Sequence, residues 1–512
     1  MRRVRRRVAV GLGGCLLVAA CGSGRSILDA GNEPVPTTTS PPSTTPVTAP
    51  PGQTLPSTIP TTTVVQTTTT TPLDSLPPCP VDALPTEGEP VQITFWHGFG
   101  TEIEQTLLAL TEEYHASQDA VRVTLQNQGG YRQTIDKFFQ SGQDSRPQLV
   151  SMPEYMLQQT ADSSTVIPVG ACIEASDYDT AAFLPGVLEA YRTSGVQWAM
   201  PFNVSDPVLY YNRRTFEAAG LDPDDPPLSI EELRATSQAI VDSGAARYGI
   251  AFDSGVDSGG GWFLEQWFAK AGELYADNGN GRLGRATRVL YSGPSGVELL
   301  SAVQSLIADG LAVYVGDNPN GQDALLKLAD PVNAAAMTIS SSGALGTVIN
   351  VLDGGLIPNI TSADLGIGPM PGPDGNPLAL VGGASLYIVA EKGDAEAAAA
   401  WDYVQYLVDA QVQSKWAAAT GYVPVREDAT EVDPLRALYA TDPRFLVAYD
   451  TVRAAPPNDP SALGPVVGPL REVRSATAGA VAAIFAGADV ATSLAAAAQQ
   501  SDALITDYNA RN

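Results

Sequence analysis

The chain has 512 residues, 44% of them apolar, enough for one large core or several ordinary ones. Against 29 Lys and Arg stand 56 Asp and Glu, a formal net charge of −27. No basic patch follows the N-terminal arginines, which excludes nucleic acid and anionic membrane surfaces as partners.

Arg2, Arg3, Arg5, Arg6 and Arg7 precede a stretch of 13 apolar or small residues, 8–20. A bilayer-spanning helix needs roughly 20, so residues 1–20 read as a signal peptide. Val18-Ala19-Ala20-Cys21-Gly22 resembles the bacterial lipobox, in which the cysteine is acylated and becomes the new N-terminus. It implies a lipid anchor on Cys21 at the outer face of the cytoplasmic membrane, and two or more acyl chains hold firmly. Residues 34–72 carry 16 Thr, 10 Pro, 3 Ser and no charge. Such a segment cannot bury enough apolar surface to fold, and its prolines favour an extended tether across 21–88. Removing the six Arg and the one Asp of residues 1–31 leaves 23 basic and 55 acidic groups, a net charge of −32. Any anionic ligand must therefore be held by local dipoles and a chosen arginine. With Cys15 and Cys21 assigned to the leader, Cys79 and Cys172 remain, and an oxidising compartment favours a disulfide between them.

From residue 91 onward, short apolar runs alternate with amphipathic ones, an α/β pattern. Residues 91–96 read as a strand. Thr101 and Glu104 read as a capping box opening a helix with Ile103, Leu107, Leu110 and Tyr114 on one face. A strand at 121–125, a helix at 131–139 and a strand at 148–152 complete a βαβαβ start, which implies a parallel sheet with ligands at the strands' carboxyl ends. Further on come a helix capped by Ser229 and ending near Gly244, an aromatic-rich helix at 262–271, and a strand at 288–291 followed by a helix at 294–309. Strands at 335–339 and 385–390 are expected to cross between lobes. A long helix at 394–419 is closed by Gly421, and helices at 475–486 and 490–508 end the chain.

Several stretches carry a resemblance. Phe95-Trp96-His97, Gly130-Tyr131, Met200-Pro201-Phe202-Asn203 and Pro207-Val208-Leu209-Tyr210-Tyr211-Asn212 come first, with Ala219-Gly220-Leu221-Asp222-Pro223 and Pro226-Pro227 after them. Ala336-Met337-Thr338, Ser341-Ser342-Gly343, Gly382-Gly383-Ala384-Ser385-Leu386 and Thr420-Gly421-Tyr422-Val423-Pro424 follow. In this order they resemble extracellular solute-binding proteins of ABC importers, the glycerol-3-phosphate-binding subgroup above all. The resemblance runs from about residue 90 to 500. It implies a two-lobed periplasmic-binding-protein fold, with lobe one at 89–200 and 343–385 and lobe two at 201–342 and 386–512. It also implies a monomer serving the permease subunits of an ABC transporter, with no cofactor.

The resemblance carries ligand contacts onto Tyr131, Glu154, Ser205, Ser341, Gly383, Tyr422 and Arg474. Tyr131 at a helix start and Ser341 beside free N–H groups suit a phosphate. Glu154 suits glycerol hydroxyls, and Gly383 lets backbone approach. Arg474 can grip phosphate oxygens with a planar fork, with Arg471 a nearby competitor. One departure follows Pro226-Pro227: where the subgroup carries a tryptophan two residues on, this chain runs Leu228-Ser229-Ile230. Loss of the tryptophan implies a larger cleft, open to glycerophosphodiesters.

An enzyme is disfavoured. His97 and His115 are the only histidines, so no HExxH motif occurs, and Ser292-Gly293-Pro294-Ser295-Gly296 has the wrong spacing for a nucleophile elbow. A carboxylate pair for glycoside hydrolysis stays open on composition alone. A second binding reading takes Trp262, Phe263, Trp267 and Phe268 as sugar-stacking platforms. Asp277-Asn278-Gly279-Asn280-Gly281 lacks the later acidic ligands of a calcium loop and reads as a tight turn.

Overall fold

The computed structural model describes residues 76–318 and 321–512. The expected signal peptide, Cys21 and most of the tether lie outside the described residues. The folded part begins earlier than residue 89: Cys79 is buried in the main core, and the short turn Val81–Ala83 packs against the helix Asp394–Leu407. A disulfide joins Cys79 to Cys172 across 93 positions. In the chain-entropy model, closing such a loop is worth roughly 4–5 kcal/mol.

The strands among the described residues, in chain order, are β1 Val91–His97, β2 Val121–Asn127, β3 Leu149–Pro153, β4 Val166–Ile167, β5 Arg192–Thr193, β6 Val196–Gln197, β7 Met200–Ser205, β8 Pro207–Asn212, β9 Tyr248–Phe252, β10 Ala312–Tyr314, β11 Ala335–Ser341, β12 Leu365–Pro369 and β13 Gly382–Val389. The first sheet runs β2-β1-β3-β13-β4, with β7 also paired to β13. β1, β2 and β3 are parallel, as the βαβαβ start requires, while β13 is antiparallel to β3, β4 and β7. The second sheet runs β10-β9-β11-β8-β12. All five residues of β3 are buried, the signature of a strand covered on both faces. β5 and β6 form a small separate hairpin.

The sheets revise the expected partition. β7 belongs to the first sheet and β8 to the second, so the chain changes lobe at the one residue between them, Asp206. β12 belongs to the second sheet, although 343–385 was assigned to lobe one. The helices Asp394–Leu407 and Ala410–Thr420 pack on β1 and on the helix Thr101–Ser117 of the first lobe, although 386–512 was assigned to lobe two. β11 and β13 each stay within one sheet. The crossings are Asp206, the segment 370–381, which ends at β13, and the stretch after Thr420, since the helix Arg444–Arg453 packs on β12 and the last two helices pack on Pro294–Ala308 beside β10.

Local differences have local causes. Thr101 is the first helical residue, so Gly100 takes the N-cap position and the capping box does not form. At Ser229 and Glu232 the box does form, and Gly244 ends that helix in the left-handed region at φ 74°. The expected strand at 288–291 is reduced to one bridge, Ala276 to Val289, because the N–H groups of Val289 and Leu290 are taken by Asp502 and the Tyr275 carbonyl. The long helix at 394–419 is two helices. Asp409 caps the second through the N–H of Gln411, and a capping aspartate competes with helix continuation. The chain ends in the helices Leu470–Phe485 and Val490–Asn509, packed on each other and on Pro294–Ala308.

Candidate ligand-binding site

At the carboxyl end of β1 the chain turns through Gly98, where a Cβ would lie 2.4 Å from the carbonyl carbon of Gly130 and 2.7 Å from the nitrogen of Tyr131. This contact seats Tyr131 at the start of the helix Tyr131–Gln140. Its hydroxyl accepts the Asn203 amide N–H at 2.9 Å and faces the hydroxyl of Tyr422. Burial, then Tyr422, pushes the Tyr131 phenol well above its usual range.

Tyr422 follows Gly421, which ends the helix Ala410–Thr420 at φ 96°. The Tyr422 ring stacks on Trp416 with centroids 5.7 Å apart and lies over Gly343, where a Cβ would sit 2.8 Å from the ring. Ser341 ends β11. Its hydroxyl accepts the Gly343 N–H at 3.2 Å, and its carbonyl accepts the Tyr210 hydroxyl at 2.8 Å. Ser341 thus caps its own short turn, Ser342–Ala344, and takes up one of the N–H groups expected to be free.

Ser205 ends β7, buried and in register with Gly382. Gly383 holds φ 89°, and a Cβ there would lie 1.9 Å from the Asn203 carbonyl oxygen. The position thus requires glycine for the pairing of β7 with β13. The Trp262 ring approaches Gly382 to within 2.1 Å of where a Cβ would be. Gly261, just before it, leaves only 3.1 Å for a Cβ against the stem of Arg474.

This chain of contacts leads to a charged cluster. Arg474, 2% exposed, donates from Nε and Nη2 to the two oxygens of Glu265 at 2.7 Å each, and from Nη2 to Glu154 at 2.8 Å. Its guanidinium lies 4.7 Å from the centre of the Tyr155 ring. Glu154 opens the turn Glu154–Met156 directly after β3. One cation among two carboxylates leaves a formal charge of −1. Burial pushes the Glu154 carboxyl up to about 7, with Arg474 opposing. For Arg474 burial disfavours the charge, but Glu265 and Glu154 more than offset it. The expected open fork for an anion is thus engaged by two protein carboxylates. Arg471, the competitor, pairs with Asp136 at 2.7 Å.

The structure therefore gathers the predicted residues into two neighbouring groups. Tyr131, Tyr422, Ser341, Ser205 and Gly383 surround Asn203 and the crossing, while Glu154 and Arg474 join Glu265. At the crossing, the carboxylate of buried Asp206 accepts from the Thr451 hydroxyl, its N–H donates to the Ser342 hydroxyl at 3.1 Å, and its carbonyl accepts the Ser342 N–H at 2.8 Å. Burial pushes its carboxyl up to about 7. Sequence reasoning missed Asn203 as a partner, Asp206 and Glu265. Glu265 had a signal: a carboxylate inside the otherwise apolar run Trp262-Phe263-Leu264-Glu265-Gln266-Trp267-Phe268 must find a buried partner.

Leu228 is 37% exposed beside Gly372 and Gly375. It does not line the cavity of about 480 Å³ that opens from Ser341, Gly343 and Tyr422. Trp262, Phe263, Trp267 and Phe268 are all buried, and the Trp262 indole N–H has no partner among the described residues. Asp277 is occupied by Thr287 and Arg288 at a turn whose next three residues have positive φ. Among the described residues no group of three or more His, Cys, Asp or Glu could hold a metal ion. His97 is buried, stacked on Phe99, with burial lowering its pKa.

The family model described as bacterial extracellular solute-binding protein matches residues 109–446. The sn-glycerol-3-phosphate-binding periplasmic protein UgpB of Yersinia pseudotuberculosis is 26% identical over 408 residues, covering 77% of this chain and 88% of that protein. The protein of the same name from Rhizobium meliloti is 26% identical over 365 residues, covering 69% and 79%. Among solved structures, UgpB from Mycobacterium tuberculosis in complex with glycerophosphocholine superposes with a TM-score of 0.65 at 21% identity, covering 82% of this chain and 99% of that one. The cyclic alpha-maltosyl-1,6-maltose binding protein of Arthrobacter globiformis gives 0.64 at 21%, covering 82% and 100%. Both share the two-lobed fold.

Proposed function

The chain belongs to the bacterial extracellular solute-binding protein family, and on that premise we propose that it captures glycerol-3-phosphate or one of its larger diesters. As a member it is a receptor for a small ligand rather than an enzyme, acts outside the cytoplasm and serves an ABC permease. In our reading Cys21 carries the lipid and residues 21–75 tether the receptor to the membrane. Lobe closure about Asp206 then presents the loaded form to the permease.

One observation carries the ligand assignment: the hydroxyls of Tyr131 and Tyr422 and the Arg474–Glu154 pair meet around the same crossing, joined through Trp262 and Gly382. In this reading the phosphate lies among Tyr131, Tyr422, Ser341 and the Gly343 N–H and draws the outer edge of Arg474, while Glu154 reads the hydroxyl end. Charge-assisted hydrogen bonds contribute about 1.5–3 kcal/mol each. Calorimetric titration of Arg474→Lys, which keeps the charge but loses the fork, should therefore weaken a phosphorylated glycerol by roughly one to two decades. Unchanged affinity removes Arg474 from the site.

A second reading has its own observation, the unpartnered indole N–H of buried Trp262 beside Gly382. An oligosaccharide hydroxyl would satisfy it, and such a ligand would leave Arg474→Lys nearly silent. The anchor is tested separately: Cys21→Ala should move the protein from the membrane fraction to the soluble one, and its retention in the membrane would count against the lipobox.

A further inference from the structure

The cavity that opens from Ser341 and Tyr422 does not match a purely polar solute. Its walls are Leu325, Leu328, Val348, Val351, Ile360 and Leu365 with their neighbours, and among the described residues no charged one lines it. Leu326, on its rim, is 51% exposed. An exposed apolar surface of this kind marks something that covers it. Two features identify the occupant. Ser341, Gly343 and Tyr422, proposed above to hold the head of the ligand, form one wall of the same cavity. The cavity also lies on the seam between lobes, with Ile103 contributed by the helix Thr101–Ser117 of the first lobe, Leu365 by β12 of the second sheet, and Val348 and Val351 by the helix Leu345–Asp353, which packs on Ala410–Thr420. Whatever fills it is therefore enclosed by the same two lobes as the head.

We propose that the physiological ligand is an amphiphile: a polar head at Ser341 and Tyr422 bearing an uncharged aliphatic chain that lies in this cavity. The proposal rests on the reading of the head as a glycerol phosphate, and the ligand class it names is a mono-acyl or mono-alkyl ester of that head. Each methylene moved from water onto the aliphatic wall should tighten binding about fourfold, the fold-change equivalent to roughly 0.8 kcal/mol.

The test is a calorimetric series on the full chain, using glycerol-3-phosphate and its butanoyl, hexanoyl and octanoyl esters below their aggregation concentrations. A parallel series uses a sugar bearing the same chains. The expected result is an affinity that climbs with chain length and then levels as the cavity fills. Leu326→Gln and Val351→Asn, at partly exposed positions outside the proposed head site, should flatten the slope and leave unmodified glycerol-3-phosphate bound as before. If glycerol-3-phosphate binds but the esters bind equally or worse, the chain proposal is overturned and the head reading stands. If only the alkyl sugars climb, the chain proposal stands and the phosphate reading falls. A flat slope in both series, with transport lost in Val351→Asn, assigns the cavity to the permease and overturns the proposal.

Discussion

The two halves of the site solve the problem of holding polar groups out of water in opposite ways. Around Asn203, neutral hydroxyls and amides meet in single hydrogen bonds, and the Asn203 side-chain oxygen has no partner among the described residues. Around Arg474, three formal charges close on one another, with Glu265 taking two donors of the guanidinium and Glu154 sharing one of them. The neutral half costs little to leave half-satisfied, since a neutral hydrogen bond nets about 0.5–1.5 kcal/mol. The charged half does not share that freedom, because stripping a buried ion pair of one partner costs about 3–5 kcal/mol. The difference suggests a division of labour: the charged cluster sets the geometry of the cleft, and the hydroxyl cluster does most of the exchange between ligand and water.

The largest expected effect breaks the charged half. Arg474→Ala leaves Glu154 and Glu265 facing each other in a buried site and should lower unfolding stability by about 3–5 kcal/mol, measured by denaturant titration without ligand. Tyr422→Phe should instead leave stability within about 1 kcal/mol while weakening the ligand by about two- to tenfold. If Tyr422→Phe costs as much stability as Arg474→Ala, the contrast between the halves is wrong.

The smallest effect is a pH dependence. The Glu154 carboxyl is raised in the folded state to about 7 from 4.5, so the folded protein binds the proton more tightly than the unfolded chain. Its contribution to stability is full below about 4.5 and is lost as pH rises through 7. The negative charge of a phosphate in the same cleft favours the protonated form further, so affinity should rise as pH falls from 8 to 6. Glu154→Gln should remove that slope in affinity and the matching slope in the melting temperature. A slope that persists in Glu154→Gln belongs to another group, with Asp206, also raised to about 7, the next to examine.

Much of the first lobe was legible because β1, β2 and β3 are apolar runs separated by helices with clear periodicity. The lobe partition was not. Met200 to Asn212 reads as one apolar stretch, and the change of sheet falls on a single buried aspartate that carries no local signal for it. β12, Leu365–Pro369, contains two glycines and a proline in five residues, so its pattern says turn, and only its pairing with β8 makes it a strand. Tyr131, Tyr422 and Arg474 could be named from resemblance. That Arg474 is already engaged by Glu265 could not, since the two lie 209 positions apart. Gly383 was expected to give a ligand access to backbone, yet the group that fills the space is the Asn203 carbonyl.

The central claim is that the crossing at Asp206 carries a site for a phosphorylated glycerol. It is tested most directly by thermal unfolding of the wild-type protein in the presence of glycerol-3-phosphate, glycerophosphocholine and a neutral maltosaccharide, each at matched concentration. A ligand at 100 times its dissociation constant adds about 2.7 kcal/mol of stability. The melting temperature should rise with the concentration of one or both phosphorylated glycerols and not move with the saccharide. A rise with the saccharide alone would contradict that claim.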